Sequence, residues 1–405
     1  MDTFDRDACT RFVLDKAREI VERFGPRPPG SEAERQTQEL VRDEIAAVCD
    51  GGVQLESFQV APKAFMGQHR VSSILLLIAA AGYWISPWCA APFSLLALVV
   101  IVQELVRYKQ FLDPFFAKKT SYNLLGRRAP AGEKKRRVVI NGHPDAAYEW
   151  FFLYRFPKVF PVFVVTSLGG FVLKIVLDLA FLLLSHGWAA GYDNLWGYLG
   201  AAQIFLLPSC IIGILFSDFR HVAPGANDNL TGTLIAAGIA KYFHAAGLRL
   251  QNTELAVLIT GSEEAGLRGA KAFAEAHPDF ASDVETIFIV IDTMEDLDHF
   301  TVYHRDLNGT VAHDASVCKL LKEAGAANGL DLPYGSVFLG SSDGTAFTQA
   351  GWRAGSLGAM DPAPSDYYHN RRDTPDRMNP KCIRATIDVV LSAIERFDRE
   401  GLPSA

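Results

Sequence analysis

Acidic and histidine residues recur at the ends of apolar stretches in this 405-residue sequence. Short apolar runs predict buried strands at 138–140, 255–259 and 287–291, and each run leads into histidine or acidic side chains. In α/β proteins, ligands bind beyond the carboxyl ends of such strands, so these side chains are expected to converge. The five clusters are His143-Pro144-Asp145, Asn227-Asp228-Asn229, Glu263-Glu264, Asp292 and His369.

This donor set of histidines and carboxylates predicts a divalent metal site, because burying an unpaired carboxylate costs several kcal/mol. A bridging carboxylate would suit two zinc ions about 3.5–4 Å apart, each with one histidine and one terminal carboxylate. Water between the ions would be acidified toward neutral pH, and a further carboxylate would serve as general base. Taken singly, each cluster has an ordinary alternative, such as a turn, a helix N-cap or a packed histidine. Their joint order after strands favours the metal site.

The elements that must position these residues alternate between helix and strand. Ser31 is predicted to cap the second of two N-terminal helices, with Glu34 completing a capping box. Alternation of this kind indicates an α/β domain with helices on both faces of a sheet. Further helices are predicted at 231–245, 267–276, 311–324 and 381–397, and strands at 53–60, 121–126, 137–142, 253–260, 286–291 and 351–357.

Six stretches resemble, in order and in local sequence, the co-catalytic zinc aminopeptidase family, which also contains glutamate carboxypeptidase and glutaminyl cyclase. The stretches are Gly25–Ser31, Asn123–Gly126, Gly142–Asp145, Gly225–Asn229 with Gly232, Ser262–Gly269, and Tyr368-His369 with Asp373-Thr374. The fold that this resemblance implies is α/β, with a zinc-exopeptidase-like mixed, mostly parallel sheet and helices on both faces. Two inserted hydrophobic helical hairpins are expected in addition, from the distribution of charge described below.

The resemblance also implies a cofactor of two zinc ions per chain and a role for each matching residue. The implied ligands are His143 and Asp292 for one ion, Glu264 and His369 for the other, and Asp228 as the bridge, with a cis peptide to Asn229. Glu263 would be the general base, and Asp145 would orient the first histidine. Tyr368 would help to stabilise the oxyanion, with a packed aromatic ring as the alternative.

The sequence departs from the family pattern in three places. Pro144 stands where the family commonly has tyrosine, and Ser342-Asp343-Gly344 stands where it has Ser-Asp-His. About 75 residues are inserted between the motifs of His143 and Asp228, where the family has a short loop. Substrate specificity and access are therefore left open.

Charge is distributed unevenly along the chain. Only four of its 39 basic and 46 acidic residues lie within 71–106 and 159–217, which are expected to be hydrophobic helical hairpins. The metallopeptidase domain is expected at 1–70, 107–158 and 218–405. The second hairpin has arms long enough to span a bilayer and is predicted to be transmembrane, with a buried lid or dimer interface as the alternative. Pro208 should kink its last helix, residues 186–193 should form an interfacial turn, and Lys174 should pair with Asp178.

Flanking charges predict the location of the protein. Basic residues flank the outer ends of both hairpins, and the tips at 86–92 and 185–197 contain no lysine or arginine. The positive-inside rule then places the catalytic domain at the cytoplasmic face of the inner or cell membrane. The polar start, Met1 to Thr10, predicts no cleavable secretory signal. A net charge of −7 gives no basic footprint for nucleic acid, and six scattered cysteines predict reduced thiols.

The expected function is therefore a zinc-dependent exopeptidase, with an aminopeptidase favoured. The expected partners are a peptide substrate and the lipid bilayer, and a homo-oligomer is left open. One alternative is a glutaminyl-cyclase-like acyl transferase that acts at a single zinc. The other is a non-catalytic membrane receptor on the same fold, against which the complete ligand set argues.

Overall fold

The computed structural model describes residues 4–184, 193–337, 339–362 and 365–404. The chain divides into two compact units. Met1–Pro62, Lys118–Tyr148 and Val222–Ala405 form the first, which we call the sheet unit. Lys63–Ala117 and Glu149–His221 form the second, which we call the helical unit.

The sheet unit is built on a nine-stranded mixed sheet. The strands of the chain are β1 Val53–Val60, β2 Lys119–Arg128, β3 Arg136–Gly142, β4 Tyr148–Trp150, β5 Ser217–Val222, β6 Thr253–Thr260, β7 Glu285–Met294, β8 Phe300–Asp306, β9 Val311–Ala312, β10 Tyr334–Ser336 and β11 Arg353–Ala359. The order is β1-β2-β6-β3-β7-β11-β8-β10, with β9 beside β8, while β4 and β5 pair separately. The central strands β6, β3, β7 and β11 are parallel to one another. The predicted fold class is confirmed.

Thirteen α-helices complete the described part of the chain. They are α1 Arg6–Phe24, α2 Glu32–Ala46, α3 Ala64–Ile85, α4 Pro87–Val100, α5 Phe151–Arg155, α6 Phe160–Leu184, α7 Asp193–Ile204, α8 Leu207–Leu215, α9 Thr231–Ala245, α10 Arg268–Ala276, α11 Ala315–Ala327, α12 Asp343–Gln349 and α13 Pro380–Glu400. A π-helical turn, Ile101–Val106, extends α4.

Both faces of the sheet are covered because the central strands are apolar on both sides. Ile287 and Ile289 of β7 lie in the core that also contains buried residues of α1, α9 and α13. Phe288 points to the opposite face, where its ring stacks on Phe347 of α12 at 4.5 Å and on Trp352 at 5.0 Å between centroids. Successive side chains of a strand point to opposite faces, so one strand serves both cores.

The predicted helix at 311–324 is wrong at its start. Val311–Ala312 is a short strand, and α11 begins only at Ala315. The carboxylate of Asp314 accepts hydrogen bonds from the backbone N–H groups of Ser316 and Val317, so it caps the helix there. Strands β8 and β10 and helix α12 lie where no element was predicted.

The helical unit contains four helices that are long and apolar enough to cross a membrane: Ala64–Ile85, Trp88–Val106, Pro157–Ala180 and Gly197–Leu215. The first starts before the predicted boundary at residue 71. Its 22 residues span about 33 Å, enough for a bilayer core of about 30 Å. Pro208 lies in the first turn of α8, after a break that ends α7 at Ile204, so the predicted interruption is confirmed. The turn predicted at 186–193 lies outside the described residues, save Asp193.

A buried polar network crosses the interior of the helical unit. Lys174 Nζ lies 2.6 Å from Asp178 Oδ2 and donates to Gln203 Oε1 at 2.7 Å. Ser94 donates to the same Asp178 oxygen at 2.5 Å. The predicted Lys174–Asp178 pair is confirmed, and it links α6 to α4 and α7.

Candidate metal centre

The predicted metal ligands and base lie beyond the carboxyl ends of the central parallel strands. This placement follows the general rule for ligand sites in open α/β sheets. His143 follows β3, Glu263 and Glu264 form a 3₁₀ turn after β6, Asp292 lies near the end of β7, His369 lies in the loop after β11, and Asp228 precedes α9.

Two glycines allow the loop of Asp228 to approach the sheet. A Cβ on Gly232 would lie 2.2 Å from the carbonyl oxygen of Ile291, and one on Gly142 would lie 2.5 Å from the Gly232 carbonyl carbon. Only glycine leaves this space. The start of α9 therefore packs directly against the ends of β3 and β7. The peptide bond after Asp228 is cis, as the resemblance implies.

The carboxylate of Asp228 lies between the two histidines. Its Oδ1 is 3.6 Å from His143 Nε2, and its Oδ2 is 3.0 Å from His369 Nε2. Asp292 Oδ1 lies 3.8 Å from His143 Nε2, and Glu264 Oε1 lies 3.4 Å from His369 Nε2. Each histidine thus has at least one further carboxylate beside it and shares Asp228 with the other.

The spacing of these donor atoms fits zinc. Tetrahedral zinc with bonds of about 2.0–2.2 Å separates neighbouring donors by about 3.3–3.6 Å, and the four separations here run from 3.0 to 3.8 Å. His143 Nε2 and Glu264 Oε1 are buried without a hydrogen bond among the described residues. Because buried polar atoms are normally satisfied, a cation is the fitting partner.

Asp145 holds two parts of the centre at once. Its Oδ1 lies 3.3 Å from His143 Nδ1, the contact that the sequence predicted. Its two oxygens also accept hydrogen bonds at 3.0 Å from the backbone N–H groups of Glu263 and Glu264. Glu263 Oε2 lies 3.7 Å from His143 Nε2. One buried carboxylate therefore fixes the acidic pair and lies beside the first histidine; its role in orienting that histidine stays a prediction.

The crowding of carboxylates shifts their protonation. Burial raises the pKa of Glu263 and Glu264 well above the ordinary range, and the charge of Asp228 raises that of Glu264 further. Burial also raises the pKa of Asp292. Burial would raise that of Asp228 too, but the neighbouring His369 lowers it below its usual value. The side chains of the centre thus do not supply enough positive charge to balance its carboxylates when all of them are ionised.

Arg27 is a positioning residue that sequence reasoning did not identify. It is fully buried in the loop before α2. Its guanidinium donates to the carbonyl oxygens of Pro144 at 2.7 Å, Pro224 at 2.8 Å and Gly225 at 2.8 Å. It therefore ties the loop of the first histidine to the loop of the bridging carboxylate. Burial lowers the pKa of Arg27 to about 10.

Glu34 has a different role from the predicted one. Ser31 caps α2 by accepting from the backbone N–H of Glu34 at 3.1 Å, so half of the capping box is present. The Glu34 carboxylate instead accepts from Gly30 N at 2.7 Å, Ser121 Oγ at 3.0 Å and Ser262 N at 2.6 Å. It therefore supports the loop that carries the acidic pair. Burial raises the pKa of Glu34 to about 8.

Asp373, to which the sequence assigned no role, holds the backbone of the loop that carries the proposed bridging carboxylate. It accepts hydrogen bonds from the backbone N–H groups of Asn227 at 2.9 Å and Asp228 at 3.0 Å. Burial raises the pKa of Asp373 to about 7. The ring of Tyr368 stacks on that of His369 with 3.8 Å between centroids, and its role toward an oxyanion stays a prediction.

The structure explains why glycine follows Asp343. A Cβ on Gly344 would lie 2.5 Å from Ser356 Oγ and 2.9 Å from His313 Cε1. His313 is held there by a 2.8 Å hydrogen bond between its Nδ1 and Thr348 Oγ1. The histidine that the family has at this position would collide with this buried group.

The mixed sheet has the fold that the resemblance implies, and the histidine–carboxylate centre lies at the ends of its parallel strands. The model of peptidase family M28 matches residues 216–394, which include four of the five predicted ligands. The resemblance inferred from the motifs is confirmed. A search of curated proteins found no match.

Three solved structures show the same fold at low sequence identity. The zinc aminopeptidase BSAP from Bacillus subtilis is 14% identical, with a TM-score of 0.56 and coverage of 95% of this chain and 94% of that one. A glutaminyl cyclase from an Acidobacteriales bacterium is 14% identical (TM-score 0.55; coverage 97% and 95%). An aminopeptidase from Aneurinibacillus sp. strain AM-1 is also 14% identical (TM-score 0.55; coverage 99% and 97%). These matches show that the chain shares the fold of the three proteins.

Proposed function

We propose that this protein is a membrane-embedded di-zinc exopeptidase, an aminopeptidase acting on peptides at the cytoplasmic face. The observation that carries the proposal is the position of Asp228, whose two carboxylate oxygens face two different histidines. Each histidine also has a carboxylate of its own. A single-ion centre needs only one of these two sets, so the arrangement favours two ions.

The residues divide the chemistry between them. Zinc at the two positions would acidify a shared water toward neutral pH and polarise the scissile carbonyl. Glu263 Oε2 is the group that takes the proton from the attacking water and returns it to the leaving amine. Burial, which raises the pKa of Glu263, suits a carboxyl that must both accept and donate a proton. Tyr368 is the proposed donor to the oxyanion.

The helical unit supports the proposed location. Its four apolar helices are long enough to cross a bilayer, and large apolar side chains on them are exposed, among them Val165 at 70% and Ile74 at 50%. A soluble protein would leave this surface in water at a large cost. The basic residues at the outer ends support the proposed cytoplasmic orientation.

The test is the isosteric variant Glu263→Gln, with the more drastic Glu263→Ala beside it. Both should retain two zinc ions per chain, because Glu263 is not a proposed ligand. Hydrolysis of chromogenic aminoacyl substrates should fall about 10²–10⁴-fold. Glu133→Gln, at a carboxylate 80% exposed in its side chain, is the matched control. Activity retained in Glu263→Gln would refute the base assignment.

Metal content and substrate choice separate the alternatives. One zinc per chain, with cyclisation of N-terminal glutamine instead of peptide hydrolysis, would establish the glutaminyl-cyclase-like function, which the similarity to solved cyclases favours. No chelator-sensitive turnover of aminoacyl, blocked-peptide or glutamyl substrates would favour the receptor.

A further inference from the structure

The two units differ in the sign of their net charge. Its two segments contain eight lysine or arginine residues and six acidic ones, so it is net positive within a chain whose net charge is −7. The sheet unit therefore carries all of the negative excess. The helical unit also buries one basic and one acidic residue as the neutral Lys174–Asp178 pair.

The outer ends of the four apolar helices lie at one end of the helical unit. Arg70, near the start of α3, donates to the carbonyl oxygen of Ser217, just after α8, at 2.6 Å. The rings of Phe160, at the start of α6, and Phe216, after α8, are 6.1 Å apart. Because α3 and α4 are joined only through Ser86, the segment after α4 returns to the same end.

Four basic side chains at this end are exposed and form no salt bridge with the described residues. We call them the basic collar: Arg107, Lys109, Arg155 and Lys158. Arg70, by contrast, has a partner within the helical unit: its guanidinium lies 4.5 Å from the ring centroid of Phe219. Exposed phenylalanines accompany the collar, with Phe115 at 78% and Phe156 at 43% exposure.

The opposite end differs in both charge and composition. Neither the α3–α4 turn at 86–92 nor the described residues 193–204 contain a lysine or arginine. The helices between the two ends expose aliphatic side chains such as Val162 and Val172. An apolar band bounded on one side by aromatic and unpaired basic groups has the layering of a bilayer leaflet and its headgroups.

We propose that the basic collar binds the headgroups of anionic phospholipids. This proposal rests on the membrane embedding in the proposed function. Four cationic groups that form no salt bridge within the described part of the chain complement a negatively charged leaflet, whereas a zwitterionic headgroup offers them no net charge. Each basic side chain near such a surface raises partitioning about fivefold.

The test uses the full chain in detergent, with phosphatidylglycerol or phosphatidylcholine added to the micelles. Native mass spectrometry counts the lipids retained, and thermal unfolding measures the stabilisation by each lipid. Wild type should prefer phosphatidylglycerol about tenfold or more, and the preference should shrink in high salt. The variant with Arg107, Lys109, Arg155 and Lys158 all changed to Gln should lose the preference. The matched control, with the exposed sheet-unit residues Arg11, Lys135, Lys381 and Arg399 changed to Gln, should keep it.

The outcomes distinguish failure of the lipid proposal from failure of the membrane embedding. Equal retention of the two lipids by wild type, or a preference retained by the collar variant, would overturn the lipid proposal alone. A chain that stays monodisperse in water without detergent would overturn the membrane embedding itself. Because wild type is tested across salt concentrations, the proposal stays falsifiable even if the fourfold variant misfolds. Hydrolysis in lipid-free detergent should be the same in the collar variant as in wild type, since no collar residue belongs to the metal centre.

Discussion

The sheet unit and the helical unit both bury charged side chains, but they balance them differently. In the helical unit Lys174 and Asp178 have side chains 1% and 0% exposed and neutralise each other at 2.6 Å. In the sheet unit the carboxylates of Asp228, Glu264 and Asp292 converge on two histidines without a lysine or arginine among them.

The difference separates a structural charge pair from a ligand site. A buried ion pair with additional hydrogen bonds balances its own charge, so its members need no further counterion. A cluster of carboxylates held apart by backbone hydrogen bonds is incomplete, because like charges in a low dielectric either take up protons or bind a cation. Burial alone therefore does not mark a functional site, whereas unbalanced burial does.

The largest expected effect comes from removing the shared carboxylate of the sheet unit. In Asp228→Asn the amide keeps its shape but loses the negative charge that both ions would share. Metal analysis should find less than one zinc per chain, and hydrolysis should fall to background. Asp376→Asn, at a side chain 84% exposed in the same unit, should leave both properties unchanged. Two zinc ions retained in Asp228→Asn would show that this carboxylate does not bridge.

In the helical unit, removing both members of the Lys174–Asp178 pair should restore the stability that removing either one alone takes away. Lys174→Met and Asp178→Leu should each lower the free energy of unfolding by about 3–5 kcal/mol, since each leaves an uncompensated buried charge. The double variant should return to within about 1 kcal/mol of wild type, because no charge remains. Unfolding in detergent with denaturant measures all four proteins. A double variant as unstable as either single one would mean that the pair does more than neutralise itself.

The local pattern of apolar and polar residues predicts most of the strands and helices. It also predicts where the candidate ligands lie, because each apolar strand and the residues that follow it are contiguous in sequence. The supporting residues are different. Arg27 bonds to a carbonyl 197 residues away, and Glu34 bonds to a backbone N–H 228 residues away. Neither contact leaves a periodic signal, so the sequence showed Glu34 only in its local capping role. Strand β10 was missed for a related reason: it lies at the edge of the sheet, where little apolar patterning is required.

The smallest expected effect is a change in the sign of the pH dependence of stability. Burial raises the pKa of Asp343 and Asp373 to about 7 and that of Glu34 to about 8, whereas these carboxyls titrate near 4 when unfolded. Between about pH 4 and pH 8 the metal-free native state therefore binds more protons than the unfolded state, and its stability should fall as pH rises. Zinc reverses this trend, because its ligands must be deprotonated and its affinity rises with pH. Thermal unfolding of chelator-treated and zinc-loaded protein, compared at about pH 5 and about pH 8, measures both slopes. Glu34→Gln, which is fixed in the neutral form, should flatten the metal-free slope. A metal-free protein that is more stable at the higher pH would show that its carboxylates are already balanced, as they are in the helical unit.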